Sequence, residues 1–171
     1  MRLDGARTRA LGIDPGLTRM GFGVVEESAG RLRPLACGTL RTPAGGNTAE
    51  RLRRLHEQLG EVLEQWSPDV VAIERLFFSA NATSAVPAIQ ASGVALVSAS
   101  LAGCEVHEYT PLQVKMAVVG NGVATKKQVQ YMVDRLLGVP QFPDSADAAD
   151  ALAVAITHLS FRRMASVSAV R

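Results

Sequence analysis

Cysteine is scarce in this 171-residue chain: Cys37 and Cys104 stand apart, without CxxC spacing. That excludes a disulfide-rich scaffold and a thiolate zinc cluster. The two read as ordinary buried thiols of a reduced protein, although a single bridge between them would also satisfy the count. The three histidines, His56, His107 and His158, are isolated from one another and from the cysteines, which argues against a histidine zinc site as well. Aromatic residues make up only 5%, so few side chains are available to stack on a nucleobase. No apolar run reaches the 18 to 20 residues of a membrane span, and no signal peptide is visible. A soluble cytoplasmic protein with no membrane association is expected. Strong charge bias is missing too: 18 Lys and Arg against 16 Asp and Glu leave +2, which by itself does not mark a nucleic-acid binder. Low-complexity tracts, internal repeats and linkers are absent, which excludes repeat and disordered architectures.

What is present suits one domain. Hydrophobic residues form 47% of the chain and charged residues 20%, enough apolar content for a single sizeable core over residues 1–171, with 1–7 and 163–171 as flexible ends. Residues 8–14 and 20–27 flank a Pro-Gly turn and predict a hairpin, and 32–41 a third strand after a Ser-Ala-Gly-Arg turn. From 48 to 66, Leu52, Leu55, Leu59, Val62, Leu63 and Trp66 recur at helical spacing opposite Arg and Glu residues. Ser67-Pro68-Asp69 stops that helix, and 70–73 reads as a buried parallel strand that delivers Glu74 at its C-terminal end. Residues 80–102, rich in Ala, Ser and Val and interrupted by Pro87, predict a helix whose small side chains pack on the sheet or on a second copy. A strand over 106–109 and helices over 111–119, 125–137 and 145–161 complete an α/β order in which antiparallel strands come first and parallel ones later.

Four carboxylates stand out against this frame. Asp14 follows a strand in Leu11-Gly-Ile-Asp-Pro-Gly16, where the backbone turns sharply and an acid reaches solvent; Asp before Pro-Gly is also an ordinary turn residue. Glu74 ends an apolar strand, where an unpaired acid carries a desolvation cost of several kcal/mol unless something cationic compensates it. Arg75 is a poor partner, because consecutive strand residues point to opposite faces. Asp147 and Asp150 in Ser145-Ala-Asp-Ala-Ala-Asp-Ala-Leu152 share a helix face among alanines. With Asp144 as N-cap, Asp147 also fits a plain helix start favoured by the helix dipole, whereas Asp150 lies too deep for that. Gathered at one edge of a sheet, such acids form an oxygen donor set suited to Mg²⁺, and two ions about 4 Å apart can promote phosphodiester hydrolysis. A basic remainder would then face a polyanion.

Gly12-Ile-Asp-Pro-Gly16, Ala72-Ile-Glu74, Gly93-Val-Ala95, Gln113-Val-Lys115, Val118-Val-Gly120, Lys127-Gln-Val-Gln130 and Ala146-Asp-Ala-Ala-Asp-Ala-Leu-Ala153, taken in order over about residues 9–160, closely resemble the RuvC Holliday-junction resolvases. Singly each motif is weak; the Asp-Pro-Gly element recurs across ribonuclease H-like proteins. The resemblance implies a ribonuclease H-like mixed sheet flanked by helices, and a homodimer that nicks four-way junction DNA symmetrically during recombination and repair. It implies Asp14, Glu74, Asp147 and Asp150 as catalytic, metal-holding residues, with Asp14 bridging two Mg²⁺ and Mn²⁺ able to substitute. In-line attack of water would leave a 5′-phosphate and a 3′-hydroxyl without a covalent intermediate. The RuvA–RuvB branch-migration complex is the implied protein partner.

The same resemblance places Lys115 and Lys127 against DNA phosphate, where they balance developing charge. From residue type alone, Lys126 and Lys127 equally form a solvated first helical turn. Phe77 and Phe78 either plug the core or stack on bases at an opened junction, and the resemblance selects Phe77 for stacking. Residues 1–7 and the basic tail after Phe161 match no motif of the family. A non-catalytic junction-binding module of the same fold is the alternative, but it would not need all four acids. An actin-like or sugar-kinase-like phosphotransferase would need a second phosphate loop and an adenosine site, for which 171 residues leave no room.

Overall fold

The computed structural model describes residues 7–76, 82–138 and 145–168. Three strands, β1 (Thr8–Asp14), β2 (Arg19–Ser28) and β3 (Arg31–Arg41), precede helix α1 (Thr48–Trp66). Strand β4 (Val70–Glu74), helix α2 (Ala82–Leu101) and strand β5 (Glu105–Tyr109) follow, then helices α3 (Pro111–Val119), α4 (Lys126–Leu137) and α5 (Ala146–Ser168). The five strands form one sheet in the order β3-β2-β1-β4-β5. β1–β2 and β2–β3 are antiparallel, β1–β4 and β4–β5 parallel, as the sequence predicts.

Local chemistry explains the punctuation. Ser28 pairs with Arg31 across a two-residue loop in which Ala29 and Gly30 both take positive φ, 50° and 74°. Such a loop matches the right-handed twist of the strands it joins. Pro34, which has no N–H to donate, sits on the edge strand β3. Asn47 caps α1 by accepting the Glu50 N–H at 3.2 Å, and Ser67 ends it in the left-handed region with its N–H on the Leu63 carbonyl. Thr110 and Thr125 open α3 and α4 with capping boxes closed by Gln113 and Gln128. α2 runs on through Pro87.

Alternation along the central strands divides the core between two faces. Leu11, Ile13, Val71 and Ile73 pack against α1 and α2, with Ala91, Ala95 and Ala99 of α2 fully buried at helical spacing. Ala10, Val70 and Ala72 face α3, α4 and α5. α5 is held unusually near the sheet. A Cβ on Gly12 would lie 1.9 Å from the Ala151 carbonyl oxygen, and one on Gly21 would lie 2.1 Å from that of Asp147. Glycine at these two positions lets a helix backbone rest on a strand backbone, and this fixes where the acids of α5 stand. α5 continues past Phe161, where the apolar pattern ends, to Ser168. Among the described residues no helix is long and apolar enough to cross a membrane.

Candidate active site

The C-terminal end of β1 carries Asp14, and the C-terminal end of its parallel neighbour β4 carries Glu74. Ile13 pairs with Ile73, so the next residue on each strand brings the two acids side by side. Their carboxyl groups stand close enough for the charge of Glu74 to push Asp14 up. Behind Asp14 the chain closes tightly: a Cβ on Gly16 would lie 2.2 Å from the Arg19 carbonyl oxygen, which returns Arg19 to the start of β2. Asp14 also pairs across the sheet with Gly21, the residue on which the Asp147 backbone rests. The first two turns of α5 are thereby seated over the ends of β1 and β4. Ser145 sets the start of that helix. Its hydroxyl accepts the Ala148 N–H at 3.2 Å and lies 3.1 Å from Thr39 Oγ1. The capping role expected of Asp144 is thus filled by Ser145, and Asp144 lies outside the described residues.

Electrostatics confirm that the four acids share one environment. Burial, then the charges of Glu74, Asp150 and Asp147, push Asp14 up to about 7, with Lys126 opposing. Burial and Asp150 push Glu74 up, against the pull of Lys126 and Lys115. Asp150 is raised by burial although Lys126 is bonded to it, and that bond raises Lys126 in turn. At neutral pH the cluster is therefore short of positive charge, and Asp14 resists full ionisation.

Two cations answer the helical acids. Lys126 Nζ donates to Asp150 Oδ2 at 2.5 Å, and Arg19 donates to Asp147 Oδ2 through Nε and Nη2, both at 2.7 Å. With these pairs in place, no group of three or more His, Cys, Asp or Glu side chains forms a ready metal cage among the described residues. The donor set nevertheless fits a hard divalent cation in kind. It is all carboxylate, and it is destabilised by its own charge.

The predicted residues are distributed as follows. Asp14, Glu74, Asp147 and Asp150 come together. Lys115 on α3 is near enough to Glu74 to lower its pKa. Lys127 is exposed and makes no ion pair with a described residue; its neighbour Lys126 reaches the acids instead. Phe77 lies outside the described residues. The sequence signal for Arg19 is weak: a basic residue five positions after Asp14, beyond the Pro-Gly turn.

A mixed five-stranded sheet with this order, helices on both faces and acids at the ends of adjacent central strands defines a ribonuclease H-like domain. The profile of the family described as "Crossover junction endodeoxyribonuclease RuvC" matches residues 10–158. The chain is 47% identical over 160 residues to a crossover junction endodeoxyribonuclease RuvC of Brevibacillus brevis, covering 94% of this chain and 96% of that one. It is 51% identical over 151 residues to the protein of that description in a Roseiflexus species, covering 88% and 90%. It superposes on Thermus thermophilus RuvC, solved in complex with Holliday junction substrate, with a TM-score of 0.86 and 39% identity, covering 92% and 96%. The chain belongs to the RuvC family of crossover junction endodeoxyribonucleases, and its chemistry is that of an endonuclease acting on DNA.

Proposed function

We propose that Asp14, Glu74, Asp147 and Asp150 are the catalytic carboxylates of a Holliday-junction resolvase and hold two Mg²⁺ ions, Mn²⁺ being a substitute. The observation that carries this is the shared cluster at the sheet edge, in which Asp14 is driven to about 7 by burial and by its acidic neighbours. Such a cluster is costly to fold and is relieved by divalent cations. Two bound Mg²⁺ would supply an activated water for in-line attack at phosphorus and charge compensation for the leaving oxygen. The chain's own residues do the rest. Asp14, held up by its acidic neighbours, would give up its proton to the solvent as the site fills. Arg19 keeps Asp147 oriented, and Lys126 exchanges Asp150 for the scissile phosphodiester. Lys115, beside Glu74, neutralises charge on the same phosphate, and Lys127 meets the backbone further out. Phe77 stacks on a base near the branch point.

A homodimer supplies the second active site that paired symmetrical nicks require. α2 supports this: Val97 and Leu101 are 57% and 74% exposed on the helix whose alanine stripe is already buried against the sheet. The RuvA–RuvB complex is the proposed protein partner and the cytoplasm the proposed compartment. A cleavage assay offering a four-way junction and a linear duplex in parallel, with and without Mg²⁺, tests the reading. Metal-dependent cutting confined to the junction is expected, and equal cutting of both substrates would overturn it.

A further inference from the structure

We infer that a groove at the opposite pole of the sheet from the carboxylates is a docking site for an acidic peptide segment with an apolar anchor. The groove, about 480 Å³, opens between the β2–β3 turn, the ends of α3 and α4, and the C-terminal half of α5. It lies beside the start of β1, where Thr8 pairs with Glu27, whereas Asp14 is at that strand's other end. A seven-residue strand separates the two, roughly 20 Å. The groove is therefore no part of the candidate active site, and it opens on the α3–α5 face, away from the apolar face of α2.

Its chemistry has two parts. Arg31, Arg135 and Arg163 stand at the rim, and none makes an ion pair with a described residue. Among the described lining residues the single acid, Glu27, is taken up by Arg162 at 4.0 Å. Arg135 is held in place by the Tyr131 hydroxyl at 3.0 Å and the Tyr131 ring at 5.3 Å. Between the guanidiniums, the partly buried Leu32 and the 39% exposed Leu136 offer apolar surface, backed by the buried Ile156 and Leu159. Guanidinium forks match carboxylates or phosphates in pairs. The apolar surface of Leu32 and Leu136 decides between these, since a bare phosphate gains nothing from it and a stiff duplex cannot lower a group into a concavity of this size. A flexible peptide that seats one Leu, Ile or Phe side chain while its carboxylates meet the rim satisfies both parts.

Fluorescence anisotropy on the full chain tests this with labelled acidic heptapeptides bearing one Leu, Ile or Phe. For each, one control replaces the apolar residue by Ser and another replaces the acids by Gln. Saturable micromolar binding is expected, weakened about tenfold in either control and at least tenfold by Arg31→Glu with Arg163→Glu, at the scale of one lost charged contact. Junction cleavage should be unchanged in that variant, and Leu136→Ser should weaken peptide binding without touching the rim charge. Failure of the whole panel to saturate below about 1 mM, or wild-type binding by the double variant, would overturn the inference. So would displacement of the peptide by pyrophosphate or a short duplex as effectively as by unlabelled peptide, or a change of oligomeric state in the double variant.

Discussion

Asp14→Asn should make the metal-free protein more stable while ending its activity. Asp14 has a carboxyl held near 7 in the fold against an ordinary value of 3.8. Below 3.8 both folded and unfolded chains carry the proton and the residue contributes nothing. Between 3.8 and about 7 the unfolded chain ionises while the fold resists, so stability falls as pH rises, and above 7 the deficit is complete. A shift of this size corresponds to a ceiling of about 4 kcal/mol at 1.36 kcal/mol per unit. Partial solvent access to the site reduces that to roughly 2 to 3 kcal/mol. Asn keeps the size and a donor toward Glu74 without ionising. Urea denaturation in EDTA at pH 5.5 and pH 8 is the assay, read as variant minus wild type so that other titrating groups cancel. The variant should be roughly 1 to 1.5 kcal/mol more stable than wild type at the lower pH, where about half of the deficit is already present, and roughly 2 to 3 kcal/mol more stable at the higher one. Adding Mg²⁺ should stabilise the wild type more than the variant. A variant no more stable than wild type at pH 8 in EDTA would refute the electrostatic account of the cluster.

Gly21→Ala puts a Cβ where only 2.1 Å separates it from the Asp147 carbonyl oxygen, so α5 must shift. Overpacking of that kind costs about 1 to 3 kcal/mol, and misplacing the helical acids by an ångström lowers cleavage roughly a hundredfold; wild-type cleavage would show that the close helix contact does not set the site. Lys126→Ala should slow single-turnover cleavage by at least about tenfold, the loss of one charge-assisted contact, while Lys127→Ala should change it by less than about threefold. The opposite ranking would return the role to Lys127. His158 is pushed down to about 4 by burial first and by His107 next, and it is bonded through Nδ1 to the Tyr109 hydroxyl at 2.9 Å. Its contribution is complete above 6.5 and is lost as pH falls toward 4, about 2 kcal/mol after allowance for screening. An NMR titration of the ring that gave an ordinary midpoint would sink this.

How much was legible depended on whether a signal was local. α1 could be read because Leu55, Leu59, Val62 and Leu63 repeat with the helix, and all four are buried. The central strands could be read from Leu11, Ile13, Val71 and Ile73 and the turn residues around them. Asp14 and Glu74 were visible for a similar reason, as polar residues at the ends of apolar strands, and Asp147 and Asp150 as acids three apart among alanines. Arg19 and Lys126 were not, because their partners stand 128 and 24 residues away and only the seating of α4 and α5 on the sheet brings them near. In sequence, Lys126 is an exposed first-turn lysine like Lys127; in the fold that turn opens onto Asp150. The closeness of α5 was hidden as well. Gly12 and Gly21 read as ordinary strand glycines until a helix backbone is placed across them.

The central claim is that four converging acids make this chain a junction-cutting nuclease. Single-turnover cleavage of a synthetic four-way junction in Mg²⁺, with binding measured separately, tests it directly for wild type, Asp14→Asn and Glu74→Gln. Paired symmetrical nicks by the wild type are predicted, with retained junction binding and no cutting by either variant. Cutting retained in either variant would contradict the account.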